Sequence, residues 1–202
     1  MPNDVTNELV FRGVDSAGQE AIEAKLCVDG KVDFEVLVPT PLNVWRGNVS
    51  SAHEQAFGRE RCGLDWSRVE WGTKWNAYSH KPIDRTADTI TFVFNTAWRP
   101  PYPWLVAVFN SLKCDFDHNW LDGGASRGVE GRWRYSEMEK NVGDPWRETP
   151  CSDEMQRHLH KLRWGVEEFP DARELGFRHS DAGKVLDVQS SVLDALLYDD
   201  PA

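Results

Sequence analysis

The chain has 202 residues, of which 40% are hydrophobic and 28% are charged, and its formal net charge is −10. This composition is typical of a globular protein with its own core and excludes an intrinsically disordered chain. The acidic excess argues against direct nonspecific nucleic-acid binding, which depends on Lys and Arg replacing counterions along the phosphate backbone.

The N-terminal part of the chain predicts a strand, a helix and a second strand. Residues 7–13 have a short apolar strand pattern, and a capping box at 16–19 opens a helix that continues to residue 26. Apolar residues occupy alternate positions over 32–38, which is typical of a strand with one face on a core. A short helix is expected over 52–57, within an otherwise polar stretch.

The middle of the chain predicts a hairpin, a helix and two further strands. Residues 74–78 and 89–98 are expected to pair, because the second segment is rich in β-branched and aromatic residues. The Pro-Pro pair at 100–101 precedes an apolar stripe at helical spacing, so a core helix is expected to begin there. Shorter strands are expected at 114–121 and 129–135.

The order strand, helix, strand, strand, helix, strand is that of a ferredoxin-like α+β fold, with an antiparallel sheet and helices packed on one face. Residues 141–151 carry the Gly and Pro punctuation of a linker. We therefore predict a ferredoxin-like domain over 1–140 and a small C-terminal helical appendage over 141–202. The appendage is expected to contain two helices with apolar positions at Met155, Leu159, Leu162, Val166 and Phe169, and at Val185, Leu186, Val192, Leu193, Leu196 and Leu197.

The chain carries no obvious signal for a membrane or an oxidising compartment. No apolar stretch approaches the roughly 20 residues that span a bilayer, and the N-terminus lacks the basic and apolar regions of a secretion signal. The four cysteines, Cys27, Cys62, Cys114 and Cys151, are widely spaced without a C-x-x-C pair. We therefore expect a cytoplasmic protein with free, reduced thiols.

One candidate binding site is the tryptophan-rich segment that contains Trp71, Lys74, Trp75 and Asn76. Two aromatic rings beside an amine and an amide could bind a ligand by stacking, cation–π contact and hydrogen bonding. The alternative is that the tryptophans only pack the hairpin against the sheet, because a buried Trp contributes about 150–250 Å² of contact area.

A second candidate site is the strand-to-helix junction at Trp98 and Arg99. A helix N-terminus next to an Arg could attract an anion. The following residues Pro100 and Pro101 each remove a backbone donor that an anion would use, so the junction could instead serve only to begin the helix.

The sequence predicts no metal, cofactor or catalytic residue. The nearest approaches to a ligand cluster are Cys114 with His118, and Cys151 with His158 and His160, and neither has the spacing of a metal site. There is no G-x-S-x-G or other nucleophile motif. We therefore expect a nonenzymatic protein.

Exposed aromatic residues on a ferredoxin-like sheet would be consistent with binding of single-stranded RNA. Phe92, Phe94 and Tyr135 would stack RNA bases if they faced solvent. The aromatic signature of RNA-recognition sheets is not visible, and the negative charge counts against this alternative.

Two motifs together resemble the YubB family of phage- and plasmid-encoded proteins. They are Val69-Glu-Trp-Gly-Thr-Lys-Trp-Asn-Ala77 and Phe94-Asn-Thr-Ala-Trp-Arg-Pro-Pro101. The resemblance covers about residues 1–140 and implies the ferredoxin-like fold, without an iron–sulfur cluster and without a reaction that transfers to particular residues. The chain departs from the family pattern at Arg99, where the second motif has Ser.

The resemblance and the lack of catalytic motifs favour an accessory protein of a phage or mobile element that binds a host protein in a bacterial cytoplasm. A counter-defence inhibitor, for example an anti-CRISPR protein, is the leading hypothesis. Residues 141–202 carry 13 acids and 7 bases, so they could occupy a basic surface made for nucleic acid. The acidic candidates for this contact are Asp153, Glu154, Glu167 and Glu168. The alternative is a small-ligand or nucleotide-binding module that uses the tryptophan-rich motif.

Overall fold

The computed structural model describes residues 3–123, 127–140 and 143–165. The strands are β1 (Asp4–Arg12), β2 (Cys27–Val28), β3 (Lys31–Val32), β4 (Asp84–Arg85), β5 (Thr89–Ala97), β6 (Phe116–Asp122), β7 (Val129–Trp133) and β8 (Trp146–Pro150). The helices are α1 (Ser16–Leu26), α2 (Phe34–Leu37), α3 (Ser51–Phe57), α4 (Gly63–Glu70), α5 (Tyr102–Leu112), α6 (Tyr135–Glu139) and α7 (Asp153–Trp164). A 3₁₀ turn at Arg59–Arg61 precedes α4.

Six of these strands form one antiparallel sheet in the order β4-β5-β1-β6-β7-β8. The elements β1, α1, β4, β5, α5 and β6 occur in the chain order of a ferredoxin-like unit, with β1 central between β5 and β6. The elements β2, β3 and α2 to α4 are inserted between α1 and β4. Strands β7 and β8 extend the sheet beyond that unit. The predicted ferredoxin-like α+β fold is therefore confirmed.

The main core lies between one face of this sheet and the helices α1 and α5. Leu9 and Phe11 lie two residues apart on β1, so their side chains point to the same face of the sheet, and both are completely buried. The stripe on α5 joins them through Trp104, Val108 and Phe109, which are also completely buried. The predicted helical periodicity after the Pro-Pro pair is thus a genuine core face.

Helix α7 lies against the opposite face of the sheet. His158 Nε2 is 2.6 Å from Glu8 Oε1, and Arg163 Nη1 donates to the Asp4 carbonyl oxygen at 2.6 Å. Glu8 is 5% exposed, and along β1 it points away from Leu9 and the main core. The first predicted C-terminal helix therefore exists and packs on the sheet through polar contacts.

The strand predicted over 32–38 is wrong beyond residue 32. The Asp33 side chain accepts from Glu35 N at 2.9 Å, and Phe34 N donates to Asn76 Oδ1 at 2.8 Å. These contacts begin the short helix α2, and one of them comes from a residue 42 positions away in the chain. The alternating apolar pattern was overridden by this tertiary contact.

The hairpin predicted between 74–78 and 89–98 is correct for its second strand but not for its first. Only Tyr78 of the first segment pairs with β5, as an isolated bridge to Asn95, and β4 is the neighbouring strand. The helix predicted over 52–57 is confirmed as α3, one residue longer at its start.

The linker expected over 141–151 contains a strand of the sheet. Trp146 in β8 lies opposite Trp133 in β7, so the sheet continues past residue 140. Val166, Phe169 and the second predicted C-terminal helix lie outside the described residues, and the division into two domains stays a prediction. Within the described ranges no helix has both the length and the apolar character needed to cross a membrane.

Candidate functional site

The two tryptophan-containing motifs meet at a surface cleft of about 560 Å³. This volume is within the range of about 300–1,000 Å³ typical of small-ligand pockets. Among the described residues, those that line the cleft are Arg68, Gly72, Thr73, Lys74, Ala97, Trp98 and Arg99. We call it the basic cleft, because three of these residues are cationic and none is acidic.

The floor of the basic cleft is held by direct contacts between the two motifs. Thr73 Oγ1 donates to the Ala97 carbonyl oxygen at 2.9 Å and accepts from Ala97 N at 3.1 Å. Gly72 has φ +81°, and a Cβ atom added there would lie 2.5 Å from Pro103 Cδ. Only glycine allows this approach without strain, so the backbone of the first motif is fixed against the start of α5.

The three cations of the basic cleft are weakly engaged by the protein. Lys74 Nζ lies 4.6 Å from the centre of the Trp75 ring. Arg68 Nη1 reaches Asp65 Oδ1 at 3.4 Å, although Asp65 makes a shorter contact of 2.7 Å with Arg59. Arg99 is exposed, and no ion pair involving it is found within the described residues. The cations are therefore available to an anion from solvent.

Trp98 forms one wall of the basic cleft with an unusual backbone. Its φ is +74°, in the left-handed region that bulky side chains rarely adopt, and its side chain remains 50% exposed. The conformation is held by Trp98 N, which donates to the Asn3 carbonyl oxygen at 2.9 Å, and by Thr96 Oγ1, which donates to the Arg99 carbonyl oxygen at 2.7 Å.

Two of the residues predicted for the tryptophan-rich site have structural contacts instead. Trp71 is 6% exposed, its Nε1 donates to the Val38 carbonyl oxygen at 2.9 Å, and its ring packs against Phe34. Asn76 accepts from Phe34 N and donates to Asp33 Oδ1 at 2.6 Å. Neither is among the described residues that line the basic cleft.

Trp75 is neither buried in the core nor part of the cleft lining. It is 39% exposed, its ring packs edge-on against Tyr78, and Lys74 lies over it. Trp75 therefore positions the Lys74 ammonium group beside the cleft. Of the six predicted ligand residues, the structure brings Lys74, Trp98 and Arg99 together on one surface.

A buried polar cluster lies next to the start of α5. The Tyr102 hydroxyl donates to Glu148 Oε1 at 2.9 Å, and Trp120 Nε1 donates to the same oxygen at 3.3 Å. Burial raises the pKa of Glu148 to about 7 and that of Tyr102 well above its ordinary value. His118 is completely buried beside Tyr102, its Nε2 donates to Asn7 Oδ1 at 3.1 Å, and burial lowers its pKa to about 3.

Each of the two cysteine and histidine groups considered as metal ligands contains a residue with another hydrogen-bond partner. Burial raises the pKa of Cys114 to about 11, and His118 Nε2 is hydrogen-bonded to Asn7. Cys151 Sγ contacts Gln156 Oε1 at 3.0 Å, and all four cysteines are free. Across the described part of the chain, no three His, Cys, Asp or Glu side chains are grouped as a metal site would require.

Of the aromatic side chains considered for RNA stacking, two are buried and Tyr135 is partly buried. Phe92 is 1% exposed and Phe94 is completely buried, both in the main core. The Tyr135 ring packs against Phe109 with 5.4 Å between ring centres. These three rings are not a base-stacking surface.

The acidic residues predicted for partner contact are partly described. Asp153 and Glu154 occupy the first turn of α7, where their charges favour the helix dipole. The Asp153 side chain is 81% exposed and forms an ion pair with Arg127. Glu167 and Glu168 lie outside the described residues.

Sequence reasoning missed Arg68. It lies on α4 (Gly63–Glu70), which has no clear apolar periodicity and was not predicted as a helix. The sequence offered one indication of its role, its position four residues before Gly72. That position becomes informative only once it is known that the chain turns at Gly72 and continues along the cleft.

A comparison with protein families matches residues 70–158 to the model of a ferredoxin-like domain in Api92-like proteins. The matched part runs from the end of α4 into α7, and so includes most of the basic cleft and the strands β4 to β8. This match agrees with the observed topology. No curated protein and no solved structure matches the chain significantly.

Proposed function

We propose that the protein is a nonenzymatic binding module for a small ligand that carries an oxyanion group, and that the ligand binds in the basic cleft. The observation that carries this proposal is the convergence of Arg68, Lys74 and Arg99 on one cleft whose described lining contains no carboxylate. Guanidinium groups bind carboxylate and phosphate oxygens in a bidentate manner, and an ammonium group adds a point charge.

The overall charge restricts the size of this ligand. The chain carries 33 acidic and 23 basic residues, so its field repels a long polyanion such as RNA or DNA. A local group of three cations in such a chain attracts an anion only at short range, because exposed charges are screened over about 10 Å at 0.1 M salt. A small anion fits this arrangement better than a nucleic-acid strand.

The anion is bound by side chains, with little direct contribution from the backbone of α5. Pro100, Pro101 and Pro103 have no N–H group, and Tyr102 N already donates to the Pro100 carbonyl oxygen at 3.1 Å. The donors usually free at a helix N-terminus are therefore largely missing here. Arg99 takes their place as the donor nearest to this junction.

Binding without catalysis is supported by the location of the groups with shifted pKa values. Catalytic acids and bases usually combine a shifted pKa with access to substrate. Glu148 and His118 have shifted pKa values, but both are buried, 9% and 0% exposed, and neither is among the described residues lining the basic cleft.

Thermal unfolding in the presence of small anions tests the proposal. The panel contains sugar phosphates, nucleotides, and di- and tricarboxylates, and a ligand at 100 times its Kd adds about 2.7 kcal/mol to the free energy of unfolding. Arg99→Ala and Lys74→Ala should each weaken the binding of an active compound by about tenfold or more. Arg132→Ala, which removes an exposed arginine on β7, is the matched control and should bind normally. If no anion stabilises the wild type, the proposal is refuted.

Binding of a host protein through acidic residues is a second proposal, with separate support. Asp153 and Glu154 are exposed on α7, and residues 166–202 add nine acidic against three basic side chains. The resemblance to phage- and plasmid-encoded proteins favours a partner of the counter-defence type, such as a CRISPR effector. A host protein retained by the full chain, but lost both from a chain ending at Gly165 and from the Asp153→Lys/Glu154→Lys variant, would support it. Equal retention by all three would count against it.

A further inference from the structure

Trp98 combines a left-handed backbone with a side chain that is half exposed. A left-handed backbone is strained for a residue with a Cβ atom. The exposed half of the Trp98 indole gains little from packing in return. Residues held in such conformations by the surrounding structure are concentrated at ligand-binding positions. The hydrogen bonds of Trp98 N and the Arg99 carbonyl oxygen supply that restraint.

The conformation places a flat ring and three cations on the same cleft. Trp98 and Arg99 are adjacent in the chain, and Arg68 and Lys74 belong to the segment joined to them through Thr73 and Ala97. An exposed indole binds planar rings by stacking, and the cations bind an oxyanion. A ligand that uses both features contains a planar ring and an anionic group within one molecule.

Trp75 does not provide a second stacking ring of the same kind. Lys74 lies 4.6 Å from the centre of its ring, and Tyr78 packs against it at 6.4 Å. A ligand ring on that face would have to displace the ammonium group. Trp98 is therefore the ring to which a planar ligand has access.

The number of cations favours phosphate over carboxylate. A carboxylate carries one negative charge, whereas a phosphate monoester carries about 1.5–2 negative charges at pH 7 and three acceptor oxygens. The described lining has three cations and no acidic residue, which matches the charge of a phosphate better than that of a carboxylate. We propose that the basic cleft binds a nucleoside phosphate, with the base stacked on Trp98 and the phosphate held by Arg68, Lys74 and Arg99. This inference rests on the proposed anion-binding function and specifies its ligand.

Isothermal titration of the full chain with matched probes tests the assignment. The probes are the four nucleoside 5′-monophosphates of A, G, C and U, ribose 5-phosphate, and adenosine. Stacking of one base on an aromatic side chain should make at least one nucleotide bind about 5- to 150-fold more tightly than ribose 5-phosphate. Adenosine, which lacks the phosphate, should bind more weakly than its monophosphate by at least about tenfold.

Variants of Trp98 separate stacking from a structural role. Trp98→Gly removes the ring and suits the left-handed backbone, so it should fold and bind nucleotide and ribose 5-phosphate equally. Trp98→Phe retains a ring and should restore part of the preference. Trp164→Ala removes an indole of similar exposure on α7, and should leave the preference unchanged.

The outcomes distinguish this inference from the function on which it rests. A nucleotide preference that is lost in Trp98→Gly and partly restored in Trp98→Phe supports the assignment. Equal binding of nucleotides and ribose 5-phosphate by the wild type overturns it but leaves an oxyanion site. A preference that persists in Trp98→Gly also overturns it, because the base is then recognised elsewhere. Binding of none of the probes refutes the nucleotide assignment, and stabilisation by other anions then decides the broader proposal.

Discussion

Gly72 and Pro103 lie so close together that a Cβ atom on Gly72 would be 2.5 Å from Pro103 Cδ. Gly72 follows the end of α4, and Pro103 lies in the first turn of α5. Their contact therefore joins the two segments that line the basic cleft. Two distinct physical effects, backbone strain and steric contact, would oppose any side chain at Gly72.

Gly72→Ala should lower the free energy of unfolding by about 2–4 kcal/mol, the sum of left-handed strain and overpacking. Gly13→Ala is the matched control, because Gly13 also has a positive φ (+70°) but no atom within 4 Å of an added Cβ. It should cost only about 1 kcal/mol. Urea unfolding measures both values, and equal losses would show that the contact with Pro103 is unimportant.

Trp98→Gly removes a half-exposed indole but also relieves about 1–2 kcal/mol of left-handed backbone strain, so it should lower the free energy of unfolding less than the same change at a half-exposed Trp with an ordinary backbone. Trp164 has a similar exposure, 49%, but lies in a helix. Trp164→Gly should therefore lower the free energy of unfolding more than Trp98→Gly does, because a loss of about 1 kcal/mol in helix propensity adds to the lost packing. A loss of stability in Trp98→Gly as large as in Trp164→Gly would contradict the strain at Trp98.

Glu148→Gln should stabilise the protein increasingly as the pH rises. The pKa of Glu148 is raised by burial from 4.5 to about 7, so the folded state binds the proton more tightly than the unfolded state does. The stability of the wild type is therefore lost as the pH rises from about 4.5 to about 7, by about 3 kcal/mol from this group. The variant cannot ionise and its amide can keep the hydrogen bond with Tyr102.

Urea unfolding at pH 5 and pH 8 checks this prediction. The wild type and Glu148→Gln should differ little at pH 5, and the variant should be the more stable at pH 8. Glu70→Gln, at an exposed position on α4, should stay within about 0.5 kcal/mol of the wild type at both pH values. A Glu148→Gln effect that is the same at pH 5 and pH 8 would be inconsistent with a raised pKa.

The contact between His158 and Glu8 should stabilise α7 on the sheet most strongly at low pH. The hydrogen bond with Glu8 raises the pKa of His158. A raised folded-state pKa means that the stabilisation is complete below the ordinary value near 6.5, and is lost as the pH rises through the folded-state value. His158→Gln should therefore cost about 1–3 kcal/mol at pH 5.5 and less at pH 9.

A double-mutant cycle with Glu8→Gln tests whether Glu8 is the partner responsible. In the Glu8→Gln background the effect of His158→Gln should no longer be larger at pH 5.5 than at pH 9, because the remaining influences, burial and Lys161, lower the pKa of His158. The persistence of that dependence would assign it to another acidic group near α7, because Lys161 lowers the pKa of His158 and so acts in the opposite direction.

The elements that the sequence predicted well are those whose pattern is local. The stripe on α5 and the β-branched run in β5 each place apolar residues on a face that is buried in the structure. The strand predicted over 32–38 failed because Asn76, distant in the chain, holds the start of α2. Local alternation cannot register such a partner.

Only part of the candidate site was predicted, because its assembly also depends on contacts between residues distant in the chain. Lys74, Trp98 and Arg99 were singled out from two motifs, but their common cleft depends on the Gly72–Pro103 and Thr73–Ala97 contacts. Arg68 was missed, because its helix gave no local pattern. Trp71 was included as a ligand residue, and its burial against Phe34 is a consequence of packing that composition does not reveal.

The amino-acid sequence by itself determined the class of the fold and its main core, because hydrophobic periodicity and helix-starting prolines act within a few residues. Only the tertiary structure decided which cations share a cleft, which tryptophans reach solvent, and that β8 continues the sheet past residue 140. These features depend on contacts between residues far apart in the chain. Such contacts exist only after the chain has folded, because their geometry is set by packing and by the hydrogen bonds between elements.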